Sequence, residues 1–322
     1  MNSFLSKKEN TTSSTRANRH KNIAMKNKLL SSLKILTACL LTAAILCSCS
    51  LEYILFGEEQ EAPPEGKLSV HFLDVGQGDS IFAELPNGES MLVDAGDNYY
   101  GENIIKYIES EGFKKIDYLV ATHPHADHIG SMPYIVRNFE IGSIYMPKVS
   151  ANTSLYENLL KSLKSKGLTV KNGKAGVTIV SGDDFSADII APVKIDEKNL
   201  NNCSIVIKLS YGKRSFLLTG DAETGEMKTI KSDLSADVLK AGHHGSKTST
   251  TDKILKSVNP DIAVISCGKN NDYGHPDEDV LKRLKAAGCS IYRTDKHKTV
   301  VIETDGESLT VETDHTSIKR AS

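Results

Sequence analysis

The sequence contains a six-residue run, His123-Pro-His125-Ala-Asp127-His128, in which four side chains are typical metal ligands, and the fold must bring these side chains together. The run directly follows an apolar stretch, residues 118–121, that has the pattern of a buried strand. In an extended turn His123 and His125 fall on the same side, and Asp127 and His128 come at the start of a helix. Imidazole and carboxylate ligands suit Zn²⁺, Mn²⁺ or Fe. The sequence therefore predicts a metal site at the end of a strand.

The hydrophobic pattern around this run predicts an α/β domain. Three short β-type runs separated by turn residues come first, and strands and helices then alternate in two similar halves. Two such halves imply two sheets packed face to face with helices outside, a four-layer αββα sandwich. The predicted strands are residues 68–72, 80–84, 91–94, 118–121, 236–241, 262–266, 290–293, 299–302 and 308–311, with a β-rich stretch at 169–218. The predicted helices are residues 101–110, 131–138, 154–166, 223–231, 250–258 and 277–287.

Other candidate site residues also lie at strand ends or in loops. Asp94 and Asp221 each end a predicted strand beside a glycine, where an isolated aspartate would be an ordinary turn or cap residue. His243 and His244 follow a predicted strand, and His275 precedes a predicted helix. Six of the ten histidines therefore occur in motifs of this kind, and we expect the two aspartates to join them.

In their order along the chain, these motifs resemble those of the metallo-β-lactamase-fold hydrolases, and within that superfamily the extracytoplasmic hydrolase domain of ComEC-type competence proteins. The resemblance covers residues 68–312. It implies the αββα fold and a centre that holds two divalent metal ions, Zn²⁺ or Mn²⁺. The motifs that carry the resemblance are residues 72–80, 92–96, 122–130, 218–221, 239–246 and 274–276.

The resemblance also implies a ligand set for the two ions. His123 and His125 would hold the first metal. Asp127 and His128 would hold the second, and Asp221 would bridge both.

Three further roles follow from the same resemblance. One of His243 and His244 would complete the second metal site while the other faces the substrate, and the sequence does not say which. Asp94 would orient the ligating groups through hydrogen bonds. A third histidine that many superfamily members use at the first metal is absent, and Asn202 looks like its replacement. The first metal is accordingly expected to be bound more weakly.

The implied reaction is hydrolysis of a phosphodiester by a metal-activated water at a dinuclear site. Asp127 would accept a proton in addition to its role as a ligand. His275, and whichever of His243 and His244 is free, would donate a proton to the leaving group or bind a phosphoryl oxygen. Gln77 and Asp79 are expected to shape the floor of the cleft, and Ser246 and Lys247 to add an anion-binding rim.

The N-terminal residues 1–48 are typical of a lipoprotein signal peptide. They carry eight basic side chains and one acidic one, and their apolar run at 35–46 is too short to span a bilayer as a helix. The boundary Leu46-Cys47-Ser48-Cys49 resembles a lipobox in which Cys49 accepts the lipid. A buried helix or an uncleaved anchor is the alternative for this run, and Met25 is an alternative start of translation.

Beyond Cys49 the sequence predicts an acidic, proline-containing tether at 49–67, the hydrolase domain at 68–314 and a short tail at 315–322. The signal places the domain outside the cytoplasm, held to the membrane by the N-terminal lipid, with no protein partner implied. The domain has three widely spaced cysteines, which argues against a disulfide framework.

Charge bears on the substrate. The whole chain has a net charge of −2, but the residues after 48 carry 31 basic and 40 acidic side chains, a net charge of −9. Long polyanions bind through Lys and Arg contacts, so a small or cell-wall diester, as for a phosphorylcholine-type esterase, stands beside DNA as a candidate substrate. A non-catalytic metal-binding lipoprotein is a further alternative. A local basic patch that the net charge conceals would comprise Lys208, Lys213, Arg214, Lys240 and Lys247.

Overall fold

The structure is a computed structural model that describes residues 66–315, with side chains to residue 313. The predicted signal peptide, the lipidation site Cys49 and almost all of the predicted tether lie outside the described residues, as does the tail beyond residue 315, so these segments stay predictions. In the part of the chain that is described, no helix combines the length and apolar character needed to cross a membrane.

Fifteen strands of the described chain form two sheets. They are β1 (Leu68–Phe72), β2 (Ile81–Glu84), β3 (Ser90–Val93), β4 (Lys115–Val120), β5 (Glu140–Met146), β6 (Val170–Asn172), β7 (Val177–Ser181), β8 (Phe185–Ala191), β9 (Val206–Tyr211), β10 (Arg214–Leu218), β11 (Val238–Lys240), β12 (Ile262–Ile265), β13 (Ser290–Arg293), β14 (Thr299–Thr304) and β15 (Leu309–His315).

The helices lie mainly between these strands. They are α1 (Gly101–Ser110), α2 (Ala126–Ile129), α3 (Met132–Asn138), α4 (Ser154–Ser165), α5 (Thr224–Met227), α6 (Asp252–Val258), α7 (Glu278–Ala286) and α8 (Thr294–His297). Two 3₁₀ turns, Leu200–Cys203 and His243–Gly245, complete the set within the described residues.

The first sheet has eight strands in the order β15-β14-β1-β2-β3-β4-β5-β6, and the second has seven in the order β13-β12-β11-β10-β9-β8-β7. The strands β1, β2 and β3 form the predicted antiparallel meander. From β3 to β6 the pairing is parallel, and so is the pairing from β10 to β13. Each sheet therefore has a parallel part whose strand ends lie at one edge.

Three buried apolar clusters separate the layers. Val70 and Phe72 of the first sheet share one cluster with Ile189 and Phe216 of the second. Alternate side chains of a strand face opposite sides of its sheet, so one set from each sheet packs into this cluster between the sheets. The other face of each sheet packs on helices, one through α1, α3 and α4 and the other through α6 and α7. The predicted αββα sandwich is confirmed.

Several elements differ from the sequence predictions. The strand β5 was not predicted, because Gly142 in its middle has the pattern of a turn. In the structure a Cβ at Gly142 would lie 2.7 Å from the backbone oxygen of Asp117, so the close approach of β4 requires glycine there. The helix predicted at 223–231 is confined to α5, where Gly225 and the following β-branched residues disfavour a longer helix. The short helices α2 and α8 were also not predicted as separate elements.

Candidate metal centre

The candidate site lies where strand ends of the two sheets meet. Asp94 directly follows β3, and His123 lies just beyond β4. From the second sheet, Asp221 follows β10 and His244 follows β11. The carboxyl ends of neighbouring parallel strands meet at the same edge of a sheet, which brings residues far apart in sequence together.

The first group of ligand atoms comprises His123, His128 and Asp221, all buried, with one donor atom from each within 4.8 Å of the others. Asp221 Oδ2 lies 3.3 Å from His128 Nε2 and 3.9 Å from His123 Nε2. The helix α2 begins directly after His125, and the ring centroid of His128 lies 4.2 Å from that of His123. His125 adjoins the group, since its Nδ1 lies 2.9 Å from His123 Nε2.

The second group comprises Asp127, His128 and His244. Asp127 Oδ2 lies 3.2 Å from His244 Nε2 and 3.9 Å from His128 Nε2. His244 also lies 3.5 Å from Asp221 Oδ2, so both groups share the Asp221 carboxylate as well as His128. The structure thus distinguishes the two adjacent histidines, because His244 is buried among the candidate ligands and His243 is 25% exposed.

The donor set fits divalent metal ions. His128 Nε2, His244 Nε2 and Asp221 Oδ1 are buried and have no hydrogen-bond partner in the described part of the protein. Buried polar atoms in proteins are almost always hydrogen-bonded, so unpaired atoms on three residues of the ligand groups indicate a binding site. Imidazole and carboxylate donors together suit Zn²⁺, Mn²⁺ or Fe.

Electrostatics within the groups favour charged carboxylates. Burial raises the pKa of Asp221, but the nearby His244 and His128 outweigh burial and hold this pKa well below its usual range. Burial alone would lower the pKa of His128, whereas the carboxylates of Asp221 and Asp94 hold it well above its usual value. The site therefore keeps anionic ligands at neutral pH.

Asp94 is hydrogen-bonded to His128, which is the contact that the resemblance implies. Its Oδ2 accepts a hydrogen bond from His128 Nδ1 at 2.7 Å and from Thr122 Oγ1 at 2.6 Å, and its Oδ1 accepts from the Thr122 backbone N–H at 2.8 Å. These bonds leave His128 Nε2 directed at the ligand groups. Asp94 has a φ of 60°, a left-handed conformation that Asp tolerates better than most residues.

A buried ion pair lies beside the ligands, and sequence reasoning did not foresee it. Lys240 Nζ is 2.5 Å from Asp79 Oδ2 and 3.8 Å from Asp221 Oδ1, and it donates a hydrogen bond to Gly220 O at 3.0 Å. Asp79 also lies 3.5 Å from His244 Nδ1. Asp79 is therefore part of the ligand surroundings rather than a residue of the open cleft floor.

The expectation of a local basic patch is wrong. Lys240 faces the interior, where its charge is balanced by Asp79. Three other members of the expected patch pair with carboxylates at 3.0 Å or less, namely Lys208 with Asp233, Lys213 with Glu307 and Arg214 with Asp237. Opposite charges beside these four of the five expected cations remove the local excess of positive charge on which the expectation depended.

An open cavity of about 360 Å³ gives access to both groups. His243 and His275 stand on its wall with their ring centroids 5.5 Å apart, and His275 Nδ1 is buried without a hydrogen-bond partner among the described residues. Gln77 lies in the expected place and accepts a hydrogen bond from Gly268 N at 3.1 Å. The cavity is lined by Gln77, His125, Ala126, Asp127, Asn201, Asp221, His243, His244, Tyr273 and His275.

Three predicted residues lie elsewhere. Asn202 is not among the residues that line the cavity, and its Nδ2 lies 3.4 Å from Asp196 Oδ2. The neighbouring Asn201 lines the cavity instead, with its Nδ2 3.4 Å from His243 Nδ1. The two lie in the 3₁₀ turn after β8, where successive side chains point about 120° apart. Ser246 is buried and bonds to Thr248, and Lys247 is exposed. Neither is among the residues that line the cavity.

Comparison with known proteins identifies the family. The model of the family described as "Metallo-beta-lactamase superfamily" matches residues 73–269. The chain belongs to the metallo-beta-lactamase superfamily. The superfamily's fold accounts for the two sheets. The chain is 31% identical over 251 residues to ComE operon protein 3 of Bacillus subtilis, and the match covers 72% of this chain and 32% of that protein. This identity confirms the resemblance to ComEC-type proteins.

Two further comparisons give shorter or more distant likenesses. Ribonuclease J of Mycoplasma genitalium is 31% identical over 133 residues, which cover 39% of this chain and 22% of that protein. The solved CmlA beta-hydroxylase E377D mutant has a TM-score of 0.52 and 18% identity, covering 75% of this chain and 55% of that one, and it shows the fold alone. This chain spans about a third of the ComE operon protein 3 and less of the ribonuclease.

Proposed function

We propose that this chain is a metal-dependent phosphodiesterase whose two ligand groups hold two divalent ions. The observation that carries the proposal is the pair of triads that share His128 and meet the Asp221 carboxylate at the base of an open cavity. Because Asp94 occupies His128 Nδ1, His128 has one free nitrogen and can serve only one ion. The first ion would be held by His123, His125 and Asp221, and the second by Asp127, His128 and His244, with the Asp221 carboxylate within reach of both groups.

Metal ions at such a centre lower the pKa of water and neutralise the charge of a phosphoryl group. The protein's own residues divide the remaining tasks. Asp94 holds His128 in one orientation through the Nδ1 hydrogen bond. Burial raises the pKa of Asp127, but His128 and His244 outweigh burial and lower it strongly, which suits Asp127 to be an anionic ligand more than a proton acceptor.

His275 and His243 would contact the substrate from the cavity wall. Burial, and next the neighbouring His243, lowers the pKa of His275, so that its ring is neutral at pH 7. A neutral imidazole donates one N–H hydrogen bond, and we assign that bond to a phosphoryl oxygen. His243, whose side chain is 25% exposed, is the candidate to supply a proton to the leaving oxygen.

The test is hydrolysis of bis-p-nitrophenyl phosphate by the protein loaded with Mn²⁺ or Zn²⁺. We expect turnover that Asp221→Asn and His128→Ala abolish, and that Asp233→Asn, a matched change at an exposed ion pair, leaves intact. Metal bound in stoichiometric amount without turnover would instead identify a non-catalytic metal-binding protein.

A small or cell-wall diester is the second candidate substrate. The net charge of −9 after residue 48 and the pairing of Lys208, Lys213 and Arg214 with carboxylates favour it. The likeness to a protein named Ribonuclease J favours nucleic acid. Incubation of the metal-loaded protein with single-stranded DNA separates the two, since DNA that stays intact with both Mn²⁺ and Zn²⁺ would exclude the nuclease.

Our proposal for location is a lipoprotein outside the cytoplasm, anchored through Cys49. It rests on the basic segment, the apolar run and the lipobox-like boundary within residues 1–49. Metabolic labelling with palmitate should mark the wild type and Cys47→Ala but not Cys49→Ala. Equal labelling of both variants, or no labelling of the wild type, would contradict the anchor.

A further inference from the structure

A strongly exposed aromatic side chain stands at the rim of the catalytic cavity. Tyr273 is 70% exposed, the largest exposure among the large hydrophobic side chains that the structure describes as exposed, and it lines the cavity together with His243 and His275. Single exposed apolar residues are common on protein surfaces. The position of Tyr273 beside the candidate reaction centre sets it apart.

The rings of the cavity wall form a row that leads outward. Tyr273 and His275 are nearly parallel, with an interplanar angle of 23° and centroids 5.9 Å apart. His275 in turn meets His243 edge to face at 5.5 Å. One side of the Tyr273 ring is therefore directed at His275, and its large exposed area is available to a further flat group.

The loop that carries Tyr273 is braced by the neighbouring Asn271. The Asn271 side chain accepts a hydrogen bond from His275 N at 3.0 Å, and donates to His275 O at 2.6 Å and to Gly268 O at 2.9 Å. These bonds hold the loop at both ends of the exposed segment. A ring presented by a braced loop loses little conformational freedom when a ligand stacks on it.

We propose that Tyr273 is a stacking platform for a nucleobase adjacent to the scissile phosphodiester, so that the substrate is single-stranded nucleic acid. This inference rests on the proposed phosphodiesterase function. Bases within a duplex are already stacked, whereas an unpaired base offers a free face to an aromatic ring. Stacking on an aromatic ring requires no positive charge, so it does not depend on Lys208, Lys213 and Arg214, which pair with carboxylates.

The experiment compares single-stranded oligonucleotides that differ by one base. In each, an abasic analogue replaces the base at one position, and kcat/KM is measured with the metal-loaded full chain. We expect the wild type to lose about 5- to 100-fold when the base next to the cleaved bond is missing. Tyr273→Ala should lose that dependence, and Tyr273→Phe, which keeps the ring, should retain it. Tyr134→Ala removes a tyrosine that is 38% exposed on α3 and serves as the matched control.

A binding measurement without turnover accompanies the kinetics. 2-Aminopurine placed next to the cleaved bond should lose fluorescence on binding to the metal-free wild type and to Tyr273→Phe, but not to Tyr273→Ala.

If the wild type cleaves DNA with no preference for a base at any position, or if Tyr273→Ala keeps the preference and the quenching, the platform is refuted while the phosphodiesterase stands. If the loaded protein cleaves bis-p-nitrophenyl phosphate but neither cleaves nor quenches the oligonucleotide, the substrate is a small diester and the platform is again refuted. If it cleaves no diester at all, the proposed function itself fails.

Discussion

Lys240 and Asp79 form a salt bridge without solvent access beside the candidate metal ligands. Lys240 also faces Asp221, so one fixed cation balances two carboxylates in a region of low dielectric constant. Burial would lower the pKa of Lys240, but Asp79 and Asp221 raise it above its usual value. The positive charge is therefore a permanent part of the site.

We expect Lys240→Met to destabilise the metal-free protein by about 3–5 kcal/mol, because it leaves a buried carboxylate without its partner. The control is Lys208→Met on β9, whose partner Asp233 is exposed and whose loss should cost about 0–1 kcal/mol. Urea unfolding in EDTA measures both. Equal losses in the two variants would show that the buried pair contributes no more than the exposed one.

Asp94 acts through His128 rather than on the substrate. Asp94→Asn keeps the size of the side chain, and asparagine tolerates the left-handed backbone at φ 60°. The substitution replaces the carboxylate that accepts the hydrogen bond from His128 Nδ1 with an amide. We predict a loss of about 10- to 100-fold in metal affinity, measured by competition with a chelator. Asp117→Asn, which alters a carboxylate bonded to Ser90 at the opposite end of β4, should leave the affinity unchanged.

The limits of sequence reasoning at this scale are physical. The histidines of the 123–128 run were predictable because their spacing alone fixes their proximity. The choice between Asn201 and Asn202 depends on how a four-residue 3₁₀ turn is rotated, which no periodicity encodes. The pairing of Lys240 with Asp79 depends on contact between two sheets, so both residues were noticed in the sequence but not as partners.

At the scale of elements, the loop between β1 and β2 packs on the short helix α2. Gly78 in that loop has a φ of 138°, and a Cβ there would clash with Asp127 O. The backbone N–H of Asp79 donates to the same oxygen at 3.1 Å. The loop thus sets the position of a candidate ligand through the backbone.

Gly78→Ala should therefore displace α2 and weaken metal binding as well as stability, with an overpacking cost of about 1–3 kcal/mol added to backbone strain. Gly88→Ala in the β2–β3 hairpin also changes a glycine with a positive φ, of 79°, but has no atom within 4 Å of the added Cβ, so it reports backbone strain without the clash. Metal titration of both variants checks this. Weakened binding in Gly88→Ala as well would point to a general loss of structure.

The elements with regular periodicity were the predictable ones. The three meander strands and α1 lie within one or two residues of their predicted bounds, because alternation and helical spacing reflect burial directly. The strand β5 and the helix α8 were not predicted. Gly142 in β5 and the polar residues Thr294–His297 of α8 have no regular hydrophobic spacing, and tertiary contacts determine their conformation.

At the scale of the whole molecule, the sandwich could be predicted because strands and helices alternate in two similar halves of the chain. What the sequence could not fix is how the two sheets meet. That contact is made by residues such as Thr122, whose carbonyl oxygen accepts a hydrogen bond from Ile205 N at 2.9 Å across the sheets. The candidate site lies at this junction, so metal binding and the closure of the sandwich should be linked.

Stability at alkaline pH should depend on Cys267, which lies in the core between the second sheet and its helices. Burial, and next the neighbouring Asp295, raises the pKa of this thiol to about 12 from a usual value of 9.0. The unfolded chain therefore loses the thiol proton at lower pH than the folded protein does. The stabilising contribution is complete below pH 9 and is lost as pH rises from 9 towards 12.

Cys267→Ala should consequently show a smaller fall in the free energy of unfolding between pH 8 and pH 10.5 than the wild type, measured by urea unfolding with a reductant present. Ser266→Ala, a buried neighbour that does not titrate, should keep the full fall, and equal falls in all three proteins would contradict the assignment.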